Sequence, residues 1–242
     1  MRGLAALATS LAIAAGCGGC SDGNAGDRPT VFAASSLTEV FRSLDPVARY
    51  SFAGSDDLAA QIGEGAPADV YASAASKHTE DLRTKNLLEA PRAFATNSVV
   101  LIVPRENPAD VASVQDLGRN GVKLVVGAVG VPVGDYTRDA LARMGESEVL
   151  SNVVSNEDDV KGVVGKVAQG EADAGFVYAT DVSPVEDEVR SISLPASARA
   201  GVEYVIAVVR GAEHRDAARA FVRLVLSEPG QKALRDAGFG PP

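Results

Sequence analysis

The chain has 242 residues, 46% of them hydrophobic and 23% charged, enough for a sizeable core in one large or two small domains. Its 32 acids against 23 bases leave a formal charge of −9 and exclude a nucleic-acid surface, whose phosphates require clustered Lys and Arg. With no Trp and 5% aromatics, stacking platforms for sugars or bases are scarce, so a small polyatomic ligand fits better.

The N-terminus reads Met1-Arg2-Gly3, then an apolar stretch over 4–15 broken only by Thr9 and Ser10, then Gly16-Cys17-Gly-Gly-Cys20. That stretch is too short to span a bilayer as a stable helix and predicts an export signal over 1–16. Ala14-Ala15-Gly16-Cys17 resembles the bacterial lipobox, which implies that Cys17 is lipidated, with Cys20 the alternative. Residues 17–28 then form a flexible lipidated tether, and the protein sits on the outer face of the cell membrane. A plain cleaved signal with an incidental Cys pair, giving a periplasmic protein, is the other reading. Both cysteines lie in this leader, so the folded body depends on its core without disulfides.

Beyond the tether, short Val-rich runs alternate with helical patterns. Strands are predicted at 30–33, 49–52, 70–72, 98–103, 123–127, 174–178 and 202–209, and helices at 38–44, 57–63, 77–85, 136–144, 159–169 and 214–226. This alternation predicts an α/β protein with mostly parallel sheets. The runs 98–103 and 202–209 suit paired crossings between two lobes, although periodicity alone leaves a single doubly wound domain equally open.

Two strand-to-helix junctions carry hydroxyls, Val31-Phe-Ala-Ala-Ser35-Ser36-Leu-Thr-Glu39 and Tyr50-Ser-Phe-Ala-Gly-Ser55-Asp-Asp-Leu58. A junction of this kind offers unpaired backbone N–H groups, the positive end of a helix dipole and a Ser O–H, which together suit a desolvated anion. Ser36-Leu-Thr-Glu39 also reads as a capping box, the serine accepting from the N–H three residues on. Gly54 lets the backbone approach a ligand without a Cβ in the way. Farther on, Pro132 ahead of Val133 and Gly134 fixes a helix entry and leaves the Val133 N–H pointing forward. Asn156-Glu-Asp-Asp-Val160 is a further helix start, with Asn156 or Ser155 as the expected cap. Tyr178 closes the strand Ala174-Gly-Phe-Val-Tyr178, and ligands of open α/β sheets lie beyond the carboxyl ends of their strands.

Taken together, Phe32-Ala-Ala-Ser-Ser-Leu-Thr38, Phe52-Ala-Gly-Ser55, Leu58-Ala-Ala-Gln-Ile62, Gly65-Ala-Pro-Ala-Asp69, Val131-Pro-Val-Gly134, Asp159-Val160 and Val177-Tyr178 resemble, in order, the molybdate-binding proteins of bacterial molybdate ABC transporters. The resemblance covers nearly all of the body and implies a two-lobed type II periplasmic-binding-protein fold. Lobe I would take 29–102 and 206–242, lobe II 103–205, and two crossing strands would form the hinge. The ligand contacts it implies are the hydroxyls of Ser36 and Ser55, the backbone N–H groups of Val133 and Val160, and the phenol of Tyr178, with Ser35 the alternative to Ser36. These would hold a molybdate or tungstate metal centre through its oxygens only, without direct metal ligation, and no cofactor is implied. The implied partners are a permease with a cytoplasmic ATPase, and the protein itself is expected to be a monomer.

Neutral donors suit a doubly charged tetrahedral oxyanion, which accepts hydrogen bonds everywhere. A protonated phosphate needs an acceptor that such a site lacks, and sulfate, with shorter bonds, would be under-coordinated in a rigid pocket. Asp56 and Asp57 depart from the family pattern and are expected to point outward, where the dipole favours them. Receptors for sulfate, other oxyanions or ferric iron share the fold. A secreted serine hydrolase would need a base, but His78 and His214 lie in polar helical patterns that predict solvent exposure, and no Gly-x-Ser-x-Gly elbow is present.

Overall fold

The computed structural model describes residues 28–198 and 201–242. The export signal, most of the tether, Cys17 and Cys20 lie outside the described residues. Two five-stranded sheets form the framework. Strands β1 (Thr30–Ala34), β2 (Arg49–Ala53), β3 (Val70–Ser73), β4 (Arg92–Asn97) and β10 (Val202–Val208) make the first, in the order β2-β1-β3-β10-β4. Strands β5 (Val99–Pro104), β6 (Leu124–Gly127), β7 (Val153–Glu157), β8 (Ala174–Tyr178) and β9 (Val189–Ser193) make the second, in the order β7-β6-β8-β5-β9.

The expectation of mostly parallel sheets is corrected: both are mixed. In the first, β1 runs parallel to β2 and β3, whereas β10 is antiparallel to both β3 and β4. In the second, β6 runs parallel to β7 and β8, and β5 is antiparallel to β8 and β9. The antiparallel strand of each sheet is the long apolar run next to a chain crossing. The chain passes between sheets where β4 gives way to β5 across Ser98, and again between β9 and β10.

Helices α1 (Thr38–Leu44), α2 (Ser55–Gly63), α3 (Ser76–Thr84), α6 (Arg215–Leu226) and α7 (Glu228–Asp236) belong with the first sheet, and α4 (Pro132–Met144) and α5 (Val160–Ala168) with the second. The main core runs continuously from Phe41, Phe94 and Phe221 through Tyr204 and Tyr178 to the Val-rich second sheet, without a break at the crossing. Rings step along it edge to face, Phe94 on Tyr204 and Tyr204 on Tyr178, each pair with centroids 6.0 Å apart. Among the described residues no helix is long and apolar enough to cross a membrane.

Close packing at the ends of β6 and β7 fixes where two helices begin. A Cβ on Gly134 would overlap the carbonyl oxygens of Gly127 and Ala128, so only glycine lets the first turn of α4 lie against the end of β6. For α5 the expected cap, Asn156 or Ser155, is corrected to Asp159, whose Oδ1 accepts from Gly162 N at 2.9 Å. Ser155 instead donates to Glu157, and Asn156 accepts from Arg138.

Candidate oxyanion site

Both sheets present the carboxyl ends of their parallel strands to one shared cleft. Ser36 sits in the single 3-10 turn that follows β1, and Ser55 is the first residue of α2 after β2. Across the cleft, Val133 is the second residue of α4 after Pro132, Val160 is the first of α5, and Tyr178 is the last of β8. All five line one small pocket, together with Ser35. Five positions scattered over more than 140 residues of sequence thus converge on one pocket.

The orientation of each donor has a physical cause. Ser55 is buried, and its Oγ accepts from the Ala74 N–H at 3.1 Å, which occupies a lone pair and leaves its own proton to be donated. Ser36 Oγ lies 2.8 Å from Tyr204 Oη. The expected capping box at Ser36 and Glu39 does not form: no side chain caps this turn, and the serine is drawn to Tyr204 instead. Val133 and Val160 occupy first-turn positions, whose N–H groups have no partner four residues back. The dipoles of α2, α4 and α5 place their positive ends toward the same region.

Tyr178 is the most telling member. It is 2% exposed, and its hydroxyl is buried with no hydrogen-bond partner among the described residues. A lone buried hydroxyl costs about 1–3 kcal/mol, which marks it as a group awaiting an acceptor. Burial, reinforced by the neighbouring Tyr204 and acidic groups, pushes its ionisation far above the ordinary range, so it stays a donor at any physiological pH.

No Lys, Arg or His is among the described residues lining the cavity. Asp159 is, but its Oδ1 is turned to the N–H of Gly162 in its own helix. The hydroxyls and helix starts of the lining can therefore satisfy an all-acceptor anion.

Two expectations around the cleft are corrected, that of Asp56 and that of the histidines. Asp57 is exposed, but Asp56 is not turned to solvent as expected: its Oδ1 is buried without a partner, and desolvation raises its pKa. It does not line the cavity. Gly54 lines the pocket, and its missing Cβ also makes room for the carbonyl oxygen of Asp158 from the opposite side. The histidines are not free helix-surface residues. His78 is buried with Nε2 3.1 Å from the Gly130 carbonyl, and His214 Nδ1 lies 3.1 Å from Asp69 Oδ2. Neither lines the cavity, so neither serves as a base for its serines.

Ala74, Asn97 and Tyr204, which orient the two serines, carried no sequence signal. Tyr204 lies in an apolar strand and reads as core. Behind Tyr178 lies Asp181, 2% exposed, 3.5 Å from Lys161 Nζ and with its pKa raised to about 6 by burial. It too was missed, because a lone Asp after a strand carries no pattern.

Two mixed sheets whose strand ends and helix starts face one another over a pocket of neutral donors define a type II periplasmic-binding-protein fold, the class of receptors that take up small solutes outside the cytoplasm. The chain belongs to the family of bacterial extracellular solute-binding proteins, whose model matches residues 30–240, and this is a family of binding proteins rather than enzymes. It is 36% identical over 222 residues to the molybdate-binding protein ModA of Mycobacterium tuberculosis, covering 88% of this chain and 84% of that one. It is 32% identical over 261 residues to ModA of Haemophilus influenzae, covering 99% of each. Among solved structures, the periplasmic molybdate-binding protein of Azotobacter vinelandii superposes with a TM-score of 0.78 at 20% identity, covering 89% of this chain and 100% of that one, a likeness of fold.

Proposed function

We propose that this protein captures molybdate, and tungstate with it, and delivers the ion to an ABC importer made of a permease and a cytoplasmic ATPase. Ser36, Ser55, Val133, Val160 and Tyr178 are the ligand donors in this reading. The observation that carries it is the buried, unpartnered hydroxyl of Tyr178 at a cavity lined by two further hydroxyls and two helix starts. Relatives that cover most or all of this chain and are named for molybdate binding support the choice of ion.

Capture then needs no cation from the protein. The donors replace the hydration shell of the dianion, and because they come from both sheets the ligand bridges the two sides and favours the closed arrangement. Lipidation at Cys17 would keep a monomeric receptor on the outer membrane face, close to the permease. Selection against sulfate rests on size, since shorter bonds would leave donors beyond reach of one or more oxygens.

The test is a thermal-shift panel on the purified mature protein. Micromolar molybdate and tungstate are expected to raise the unfolding temperature, and sulfate and phosphate to do so much less. An equal response to sulfate would make the protein a general oxyanion receptor, and no response to molybdate would overturn the reading.

A further inference from the structure

Ser36 can help select a dianion only if its hydroxyl donates into the cleft, and a lone hydroxyl is free to rotate and accept instead. The structure removes that freedom. Tyr204 is fully buried, and its hydroxyl lies 2.8 Å from Ser36 Oγ and 3.5 Å from Asn97 Nδ2. An amide nitrogen only donates, and the Asn97 amide is held in that orientation because its Oδ1 accepts from Ser98 N at 2.9 Å while Nδ2 also donates to Thr180 Oγ1 at 2.8 Å. Among the described residues the Tyr204 proton therefore has one acceptor in reach, Ser36 Oγ.

We propose that Tyr204, oriented by Asn97, is a positioning residue that locks Ser36 as a donor toward the bound oxyanion and so rejects anions that carry a proton. The inference rests on the oxyanion-binding reading above and adds how that site enforces its selectivity. With Tyr204 donating to Ser36 Oγ and Ala74 N donating to Ser55 Oγ, both serines have a lone pair occupied from behind. A ligand oxygen meets their protons. A hydrogen phosphate could donate to the second lone pair of either serine only by turning that serine's own proton away from the ligand, to where no acceptor is found among the described residues. The chain of donors from Asn97 through Tyr204 to Ser36 is also polarised in one direction, which strengthens the last bond. Burial keeps the Tyr204 phenol protonated throughout the physiological range.

The test is a double-mutant cycle on the full mature protein, with Tyr204→Phe, Ser36→Ala and the two combined, read by calorimetric titration of molybdate and by competition with phosphate at neutral pH. Tyr204→Phe is expected to weaken molybdate about ten-fold, the cost of one hydrogen bond to a charged ligand, while strengthening competition by hydrogen phosphate. The combined variant is expected to bind molybdate no more weakly than Ser36→Ala alone. Asn97→Ala, which leaves the Tyr204 ring in place, should shift both ligands in the same directions by less. Equal losses for molybdate and phosphate, full additivity in the cycle, or an unchanged Tyr204→Phe would each overturn the proposal. Absence of molybdate binding by the wild type would instead overturn the function proposed above, and the same cycle would then be judged with whichever of tungstate or sulfate binds.

Discussion

Asp181 is a carboxylate buried behind Tyr178, and among the described residues Lys161 is the cation paired with it. Its two oxygens lack hydrogen bonds, Lys161 stands 3.5 Å away, and burial lifts its pKa to about 6. A raised folded pKa means that the folded state holds the proton more tightly than the unfolded chain does. Between about pH 4 and pH 6 the folded form binds more protons, so stability falls as pH rises through that window. Across the window the loss is on the order of 2–3 kcal/mol. Asp181→Asn is expected to flatten this slope, gaining on the wild type at pH 7.5 relative to pH 4.5 in urea unfolding. Parallel pH profiles for the two proteins would show that the Lys161 pairing already offsets the burial.

Elements differ in how well the sequence announces them, and the reason is burial. The central strands β1, β3, β5, β6 and β8 are buried along nearly their whole length and read as continuous apolar runs. Edge strands β7 and β9, by contrast, alternate or face water, and Val153-Val-Ser-Asn-Glu157 and Val189-Arg-Ser-Ile-Ser193 carry too little hydrophobic signal to stand out. The five positions proposed as donors stand out in the sequence because each sits where a legible strand meets a helix. The groups that orient them do not: Tyr204 meets Ser36 over 168 residues of chain, Asn97 meets Tyr204 over 107 and Ala74 meets Ser55 over 19, and only tertiary structure pairs them. The same holds for Asp159, which displaces Ser155 and Asn156 as cap because only its carboxylate reaches Gly162 N. At the start of α4 the element depends on one missing methyl. Gly134→Ala is expected to force the first turn off β6, costing about 1–3 kcal/mol of stability and displacing the Val133 N–H. Chemical denaturation and molybdate titration on the same variant check it, and unchanged values in both would mean that β6 yields without cost.

For the whole molecule the decisive feature is how closely its two sides approach. The Asp158 carbonyl occupies the space a Cβ on Gly54 would need, and His78 donates to the Gly130 carbonyl across the same seam. Gly54→Ala should therefore keep the sides apart, weakening molybdate binding at least ten-fold while leaving unliganded stability within about 0.5 kcal/mol, because the backbone clash arises only between the two sides and the Asp56 carboxylate, the other atom in the way, can turn aside. Small-angle scattering should show the ligand-induced compaction of the wild type and not of the variant. Full affinity in Gly54→Ala would mean that closure stops short of this contact.

The weave of strands bears on how the polypeptide comes to its shape at birth. Strand β4 has no neighbour in its sheet except β10, which lies more than a hundred residues later. A nascent chain delivered from its N-terminus therefore cannot finish its first layer until almost all of it has emerged. Early segments must wait, exposed, for the tail, which makes maturation slow and makes a chaperone's shelter valuable.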